Sequence, residues 1–225
     1  MADGLDAVVE KGIRMILDDL RNVHPGSTIW VFGSGASLNF LDARFFDDKI
    51  CVTANYAAKT LGIKSFYAYT NYHCDPESFG DGLITAVMLA CDTLTQKPWS
   101  GDLPENVALS QANDYRPPGN VWNPYEMPPP DGQIVYGSSS IHGATHLAAH
   151  LGASHIVMVG ADCGTIDGDV NVDGYIRPTE RHSLVVWNRH SIILKKWLME
   201  RYGVTLYSLN PFINFNLEGH TFEGV

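Results

Sequence analysis

The run Thr28-Ile29-Trp30-Val31-Phe32 ends abruptly in Gly33-Ser34-Gly35-Ala36-Ser37. A continuous apolar run, rather than an alternating one, marks a strand covered on both faces, and such strands belong to parallel sheets with helices on either side. Similar runs recur at Ile50 to Thr53, Ser65 to Tyr69, Gln133 to Tyr136, His155 to Val159 and Val204 to Tyr207. Helical spacing separates several of them. Leu5 to Leu20 places Val8, Val9, Ile13, Ile16, Leu17 and Leu20 near one stripe that Pro25-Gly26 terminates, and Ile141 to Leu151 reads as a second helix. Strands alternating with helices require a mostly parallel sheet with right-handed crossovers. The expected fold is therefore α/β: a single Rossmann-like domain over residues 1–225, its sheet flanked by helices. Two stretches break the rhythm. Residues 97–132 carry Arg116-Pro117-Pro118-Gly119 and Met127-Pro128-Pro129-Pro130, which predicts a long lid-type loop with Trp99, Trp122 and Tyr125 as stacking or anchoring rings. Residues 163–180 form an acidic loop.

Charge narrows the partners. Fifteen Lys+Arg against 25 Asp+Glu give a net charge of −10, which repels nucleic-acid backbone and anionic membrane alike. Nucleic acid is thus excluded as a partner. Lys195, Lys196 and Arg201 share a helix with Ile192, Leu194 and Leu198 and read as its solvated face. Cys51, Cys74, Cys91 and Cys163 form no CxxC pair, so reduced thiols and a cytoplasmic setting are expected. The amino terminus lacks a basic region followed by an apolar core, and no apolar run approaches the roughly 20 residues that span a bilayer. A homo-oligomer is compatible with this sequence.

The chemistry is expected at strand ends, because the carboxyl ends of parallel strands form the ligand crevice. Gly33, Ser34, Gly35, Ala36 and Ser37 follow the first strand, where glycines let backbone amides approach an anion such as a phosphate. Leu38 stands where a dinucleotide fingerprint has its third glycine, and no acidic residue closes the second strand, so NAD is disfavoured. Asn55 and Asn71 end the second and third strands, each offering a donor and an acceptor to a base or sugar. Ser138, Ser139 and Ser140 precede the helix that carries His142, His146 and His150 at i,i+4 spacing. Helix packing with partly exposed imidazoles is expected there, rather than a zinc site.

Three stretches together resemble the bacterial CMP-sialic-acid sialyltransferases, with the related flagellar motility-accessory glycosyltransferases and archaeal hydroxymethylpterin diphosphokinases. They are Val31 to Leu38; Ser140 through Leu151-Gly152 to Gly160-Ala161-Asp162; and Tyr202 to Pro211. The resemblance implies that Gly33 to Ser37, Asn55, Asn71, Ser138 to Ser140 and Asp162 hold a nucleotide. It further implies a histidine base toward an acceptor hydroxyl, His190 or His182, and Tyr175 assisting the departing phosphate. The leading expectation is inverting transfer from a nucleotide-sugar, a CMP-sugar favoured, to a hydroxyl acceptor with no metal required. One alternative is Mg²⁺-dependent diphosphate transfer from ATP to a pterin-like alcohol. Another is a non-catalytic nucleotide- or calcium-binding module.

The calcium alternative rests on Asp169-Val170-Asn171-Val172-Asp173-Gly174-Tyr175 through Glu180, which satisfies D-x-[DN]-x-[DN]-G-x5-E. Asp169, Asn171, Asp173, Tyr175 and Glu180 would supply the oxygens around a structural Ca²⁺. The competing reading is an acidic loop whose Asp and Gly residues only make turns.

Overall fold

The computed structural model describes residues 17–63, 65–71, 84–91, 107–113, 133–135, 139–175 and 181–209. Among the described residues, eight strands form one sheet: β1 (Thr28–Phe32), β2 (Ile50–Ala54), β3 (Ser65–Asn71), β4 (Ile84–Cys91), β5 (Val107–Asn113), β6 (Gln133–Val135), β7 (His155–Val159) and β8 (Thr205–Ser208). Their order is β6-β5-β4-β3-β2-β1-β7-β8, and every pairing is parallel. The chain thus builds outward from β1 through β6, then returns to the other side of β1 for β7. That reversal between β1 and β7 is the topological switch point, where open α/β sheets place their ligands.

Helices α1 (Ala57–Leu61), α2 (Ser140–His150) and α3 (Arg181–Tyr202) accompany the strands. The period-2 alternation of the strands decides which layer each residue joins. Ile29 and Val31 of β1, Val52 of β2, and Ile156 and Met158 of β7 pack with Leu147 of α2, Leu151 just beyond its end, and Leu194 and Leu198 of α3. Phe32, Cys51 and Val159 instead meet Leu38, Phe46, Ala57 and Val172 on the opposite face. Both faces are covered, as the continuous apolar runs require. Gly143 sets the closeness of α2: a Cβ there would lie 2.2 Å from the Tyr69 ring of β3.

Several expected boundaries shift slightly. β3 extends to Asn71, β6 stops at Val135, and the last strand runs Thr205–Ser208. Leu17 to Leu20 is a 3-10 turn with both leucines buried, and the rest of the expected first helix lies outside the described residues. Two strands were not expected. β4 is an apolar run that sequence period alone does not separate from a helix. β5 lies inside 97–132, so that segment is not a loop throughout. Val107-Ala108-Leu109-Ser110-Gln111-Ala112-Asn113 has little β-branched character, and pairing between β4 and β6 supplies what propensity does not. The imidazoles of α2 are buried rather than partly exposed: His142, His146 and His150 are 0%, 1% and 8% exposed.

Candidate functional site at the strand carboxyl ends

Four neighbouring strands, β3, β2, β1 and β7, deliver the candidate residues in one row. Asn71 ends β3, Asn55 follows β2, the glycine-serine loop follows β1, and Gly160-Ala161-Asp162 follows β7. With strands about 4.8 Å apart, the row from β3 to β1 spans about 10 Å. Asn55 has φ 50°, a left-handed conformation that asparagine tolerates better than most residues. Its amide donates to the Tyr69 carbonyl at 2.9 Å, and its Oδ1 accepts from the Thr70 hydroxyl at 3.4 Å. The β2 end is therefore tied to the β3 end, and the Asn55 side chain is oriented by Thr70.

The loop after β1 meets the loop after β7 directly. The Gly33 amide donates to the Val159 carbonyl and the Gly35 amide to the Gly160 carbonyl, both at 2.8 Å. Asp162 is buried and takes two bonds from Ser37, 2.7 Å from its amide and 2.5 Å from its hydroxyl. Burial raises the Asp162 pKa while the Ser37 bonds act to lower it. Close approach explains the glycines. A Cβ on Gly33 would lie 2.4 Å from the Gly160 carbonyl oxygen, and one on Gly35 would lie 2.4 Å from the Asp162 carboxyl carbon. Gly160 itself has φ +65°. So the amides of Gly33, Gly35 and Ser37 serve protein acceptors, and Asp162 clamps the loop. Among the described residues, the donors of this loop with no protein acceptor are the Ser34 amide and hydroxyl and the Ala36 amide.

The acidic loop closes over the same place. Ile166 and Asp169 exchange hydrogen bonds of 3.0 and 2.9 Å around Asp167 (φ 51°) and Gly168 (φ 92°), a type I′ turn of the kind Asp-Gly favours. Beyond it, Asn171 bridges Gly35 in antiparallel sense, and the Val172 amide donates to the Ser34 carbonyl at 2.9 Å. Asn171 Nδ2 donates to the Ser34 carbonyl at 3.2 Å and to Ser34 Oγ at 3.0 Å. Asp173 and Asn39 pair reciprocally at 3.0 and 3.2 Å. Asn171 thus faces the glycine-serine loop and Asp173 faces Asn39 beyond it, and among the described residues no group of three or more metal-ligating side chains converges. Glu180 lies outside the described residues. Tyr175 is half-buried against the Phe32, Leu38 and Val172 cluster.

Above this row sits the helix layer. Ser139 occupies the N-cap of α2 without a side-chain cap bond, Ser140 is buried, and Ser138 lies outside the described residues. The first turn of α2 touches the glycine loop, since Ile141 Cδ1 would be 2.9 Å from a Cβ on Gly33. The neighbouring His142 places its ring 6.3 Å from that of His190 on α3. His142 Nε2 lies 2.9 Å from Ser191 Oγ, and that hydroxyl donates to the Trp187 carbonyl, fixing α3 beside His190. Burial pushes the His142 pKa down to about 3, with the neighbouring His190 as a further cause. His190 is also buried, and desolvation followed by the Arg189 charge lowers its pKa below the ordinary value. It is therefore a neutral imidazole near neutral pH, able to accept a proton. His182 stands eight residues earlier on α3, about 12 Å along the helix axis, and its side chain lies outside the described residues.

The remaining helix histidines are structural. His146 Nδ1 accepts the Val135 amide at 2.8 Å, and its Nε2 meets the Tyr202 hydroxyl at 2.7 Å. His150 Nε2 donates to the Leu17 carbonyl at 2.8 Å. Cys163, with φ 51°, follows Asp162, and burial pushes its thiol up to about 12, so it is no thiolate nucleophile. No helix among the described residues is long and apolar enough to cross a membrane.

No family model matches the sequence, and no curated protein matches it significantly. Among solved structures, the chain is similar to the MAf glycosyltransferase from Magnetospirillum magneticum AMB-1, with a TM-score of 0.53 and 16% identity. The match covers 90% of this chain and 38% of that one, so the chain spans well under half the length of that protein. At this identity the likeness concerns architecture, and with the parallel sheet and switch point it establishes an α/β domain of Rossmann-like type.

Proposed function

We propose that the chain carries a glycosyltransferase site that binds a nucleotide-sugar, a CMP-sugar by preference, and transfers the sugar with inversion to a hydroxyl acceptor. The observation that carries this reading is the placing of His190. A buried imidazole of lowered pKa stands one side chain away from α2's first turn, which abuts the glycine-serine loop at the switch point. Asn55 and Asn71 would hold base and ribose, and Ser34 with Ser138 to Ser140 would take the phosphate. As the acceptor oxygen attacks the anomeric carbon, His190 takes its proton, and the bond to the phosphate oxygen breaks. Ser34 and Tyr175 stabilise the charge that collects on the departing nucleotide. The likeness to a MAf glycosyltransferase is consistent with this use of the fold.

Incubation with CMP-, UDP- and GDP-sugars, read as nucleotide release, tests the proposal. Release by the wild type, cut by roughly 10²-fold or more in His190→Ala with donor binding retained, is expected for a general base. Its acid limb should have a midpoint below about 6.5, because the folded pKa of His190 lies below that reference. Absence of release and of thermal shift with every donor would remove the reading, and Mg²⁺-dependent AMP formation from ATP would replace it.

A further inference from the structure

Asn171 fits the calcium-loop pattern, yet its side chain faces the glycine-serine loop from 137 positions away in sequence. The Ser34 carbonyl can only accept, so the Asn171 amide must turn its nitrogen toward it. The same nitrogen has a second hydrogen, and that one goes to Ser34 Oγ at 3.0 Å. Both hydrogens of the Asn171 amide are therefore spent on Ser34, and the Ser34 hydroxyl is made an acceptor on that side.

A serine hydroxyl has one hydrogen and two lone pairs. With one lone pair engaged by Asn171, the hydrogen turns away from Asn171, and among the described residues no acceptor takes it. The amides of Gly33, Gly35 and Ser37 and the Ser37 hydroxyl are committed to protein acceptors, so the Ser34 hydroxyl is the side-chain donor this loop can still offer to an anion, beside the Ser34 and Ala36 amides. The loop is also held rigid: Asp162 grips Ser37 on one side, and the Val172 amide grips the Ser34 carbonyl on the other.

We propose that Asn171 is a positioning residue that fixes the rotor of Ser34, aiming its hydroxyl hydrogen at the phosphate of a bound nucleotide. This inference rests on the nucleotide-site reading above and deepens it. It assigns the acidic loop a part in phosphate recognition and separates that part from binding of base and ribose. Asn171 touches no ligand atom and acts through Ser34.

The test compares a nucleotide with its nucleoside. CMP and cytidine are titrated calorimetrically into the full chain carrying no change, Ser34→Ala, Asn171→Ala, or both. Loss of a hydrogen bond to a charged group is expected to weaken CMP by roughly tenfold or more in Ser34→Ala. Asn171→Ala should weaken CMP by roughly threefold to tenfold and leave cytidine unchanged, and it should add nothing in the Ser34→Ala background. Asn171→Asp keeps the shape but presents acceptors to both Ser34 oxygens, so it should capture the hydroxyl hydrogen and weaken CMP at least as much as Asn171→Ala. A purely structural role would weaken CMP and cytidine alike, and that result overturns the proposal while leaving the nucleotide site standing. Additive losses in the double variant overturn it as well. Failure of wild type to bind CMP, UMP, GMP or AMP would overturn both the site and this inference.

Discussion

Acidification from pH 7 to pH 5 should cost this protein several kcal/mol through two buried imidazoles. His142 and His146 are held to pKa values of about 3 by burial, and are 0% and 1% exposed, so solvent screening does not soften the effect. Above about pH 6.5 the imidazole is neutral in both folded and unfolded chains. Between there and about pH 3 only the unfolded chain takes up the proton, so stability falls with falling pH throughout that window and is fully present above it. At pH 5 the gap to the reference pKa is about 1.5 units, and at about 1.36 kcal/mol per unit each imidazole costs about 2 kcal/mol. Two cost about 4 kcal/mol, against a total stability of about 5–15 kcal/mol for a typical domain. His146 can be separated from the background. A glutamine there offers an oxygen to the Val135 amide and a nitrogen to the Tyr202 hydroxyl, but does not titrate. Urea unfolding followed by circular dichroism at pH 7, 6 and 5 should show that wild type loses about 2 kcal/mol more than His146→Gln over this range. Parallel pH dependences for the two proteins would refute the reasoning, because other groups would then carry the acid sensitivity.

Gly143→Ala should destabilise by about 1–3 kcal/mol, read as a lower urea midpoint, since overpacking against Tyr69 outweighs the better helix propensity of alanine; a stabilised variant would show that α2 can lift away at no cost. Asp162→Ala should destabilise by about 1–3 kcal/mol, because it leaves the buried Ser37 amide and hydroxyl without their acceptors; thermal unfolding would detect it. Calcium should leave the melting temperature unchanged relative to chelator, because Asn171 and Asp173 are engaged by Ser34 and Asn39; saturation at 100 times Kd would instead add about 2.7 kcal/mol.

The layered α/β order was legible because it depends on local signals. Thr28–Phe32 and His155–Val159 announce themselves as doubly covered strands, Ile141 to Leu151 as a helix, and the segment with Ile192, Leu194 and Leu198 as part of another. What stayed hidden depends on distant partners. β5 becomes a strand through neighbours on both sides, and no property of Val107 to Asn113 alone predicts that. The i,i+4 histidines were visible, but their burial was not: an imidazole becomes a core residue only when Val135, Tyr202, Ser191 and Leu17 arrive to satisfy it. The glycine loop illustrates both sides. Its position after β1 was read correctly, whereas the spending of its amides on Val159, Gly160 and Asp162 follows from a pairing of β1 with β7 across more than a hundred residues. Asn171 was visible in the sequence as part of a motif, whereas its bonds to Ser34 depend on a partner 137 positions away.

The most direct test of a nucleotide site at the switch point is a crystal structure of the full chain with a CMP-sugar. The account predicts the phosphate within hydrogen-bonding distance of Ser34, the base toward Asn55 and Asn71, and the anomeric carbon facing His190. A nucleotide bound elsewhere on the protein, or seated with its phosphate remote from Ser34 and its sugar turned away from His190, would contradict it.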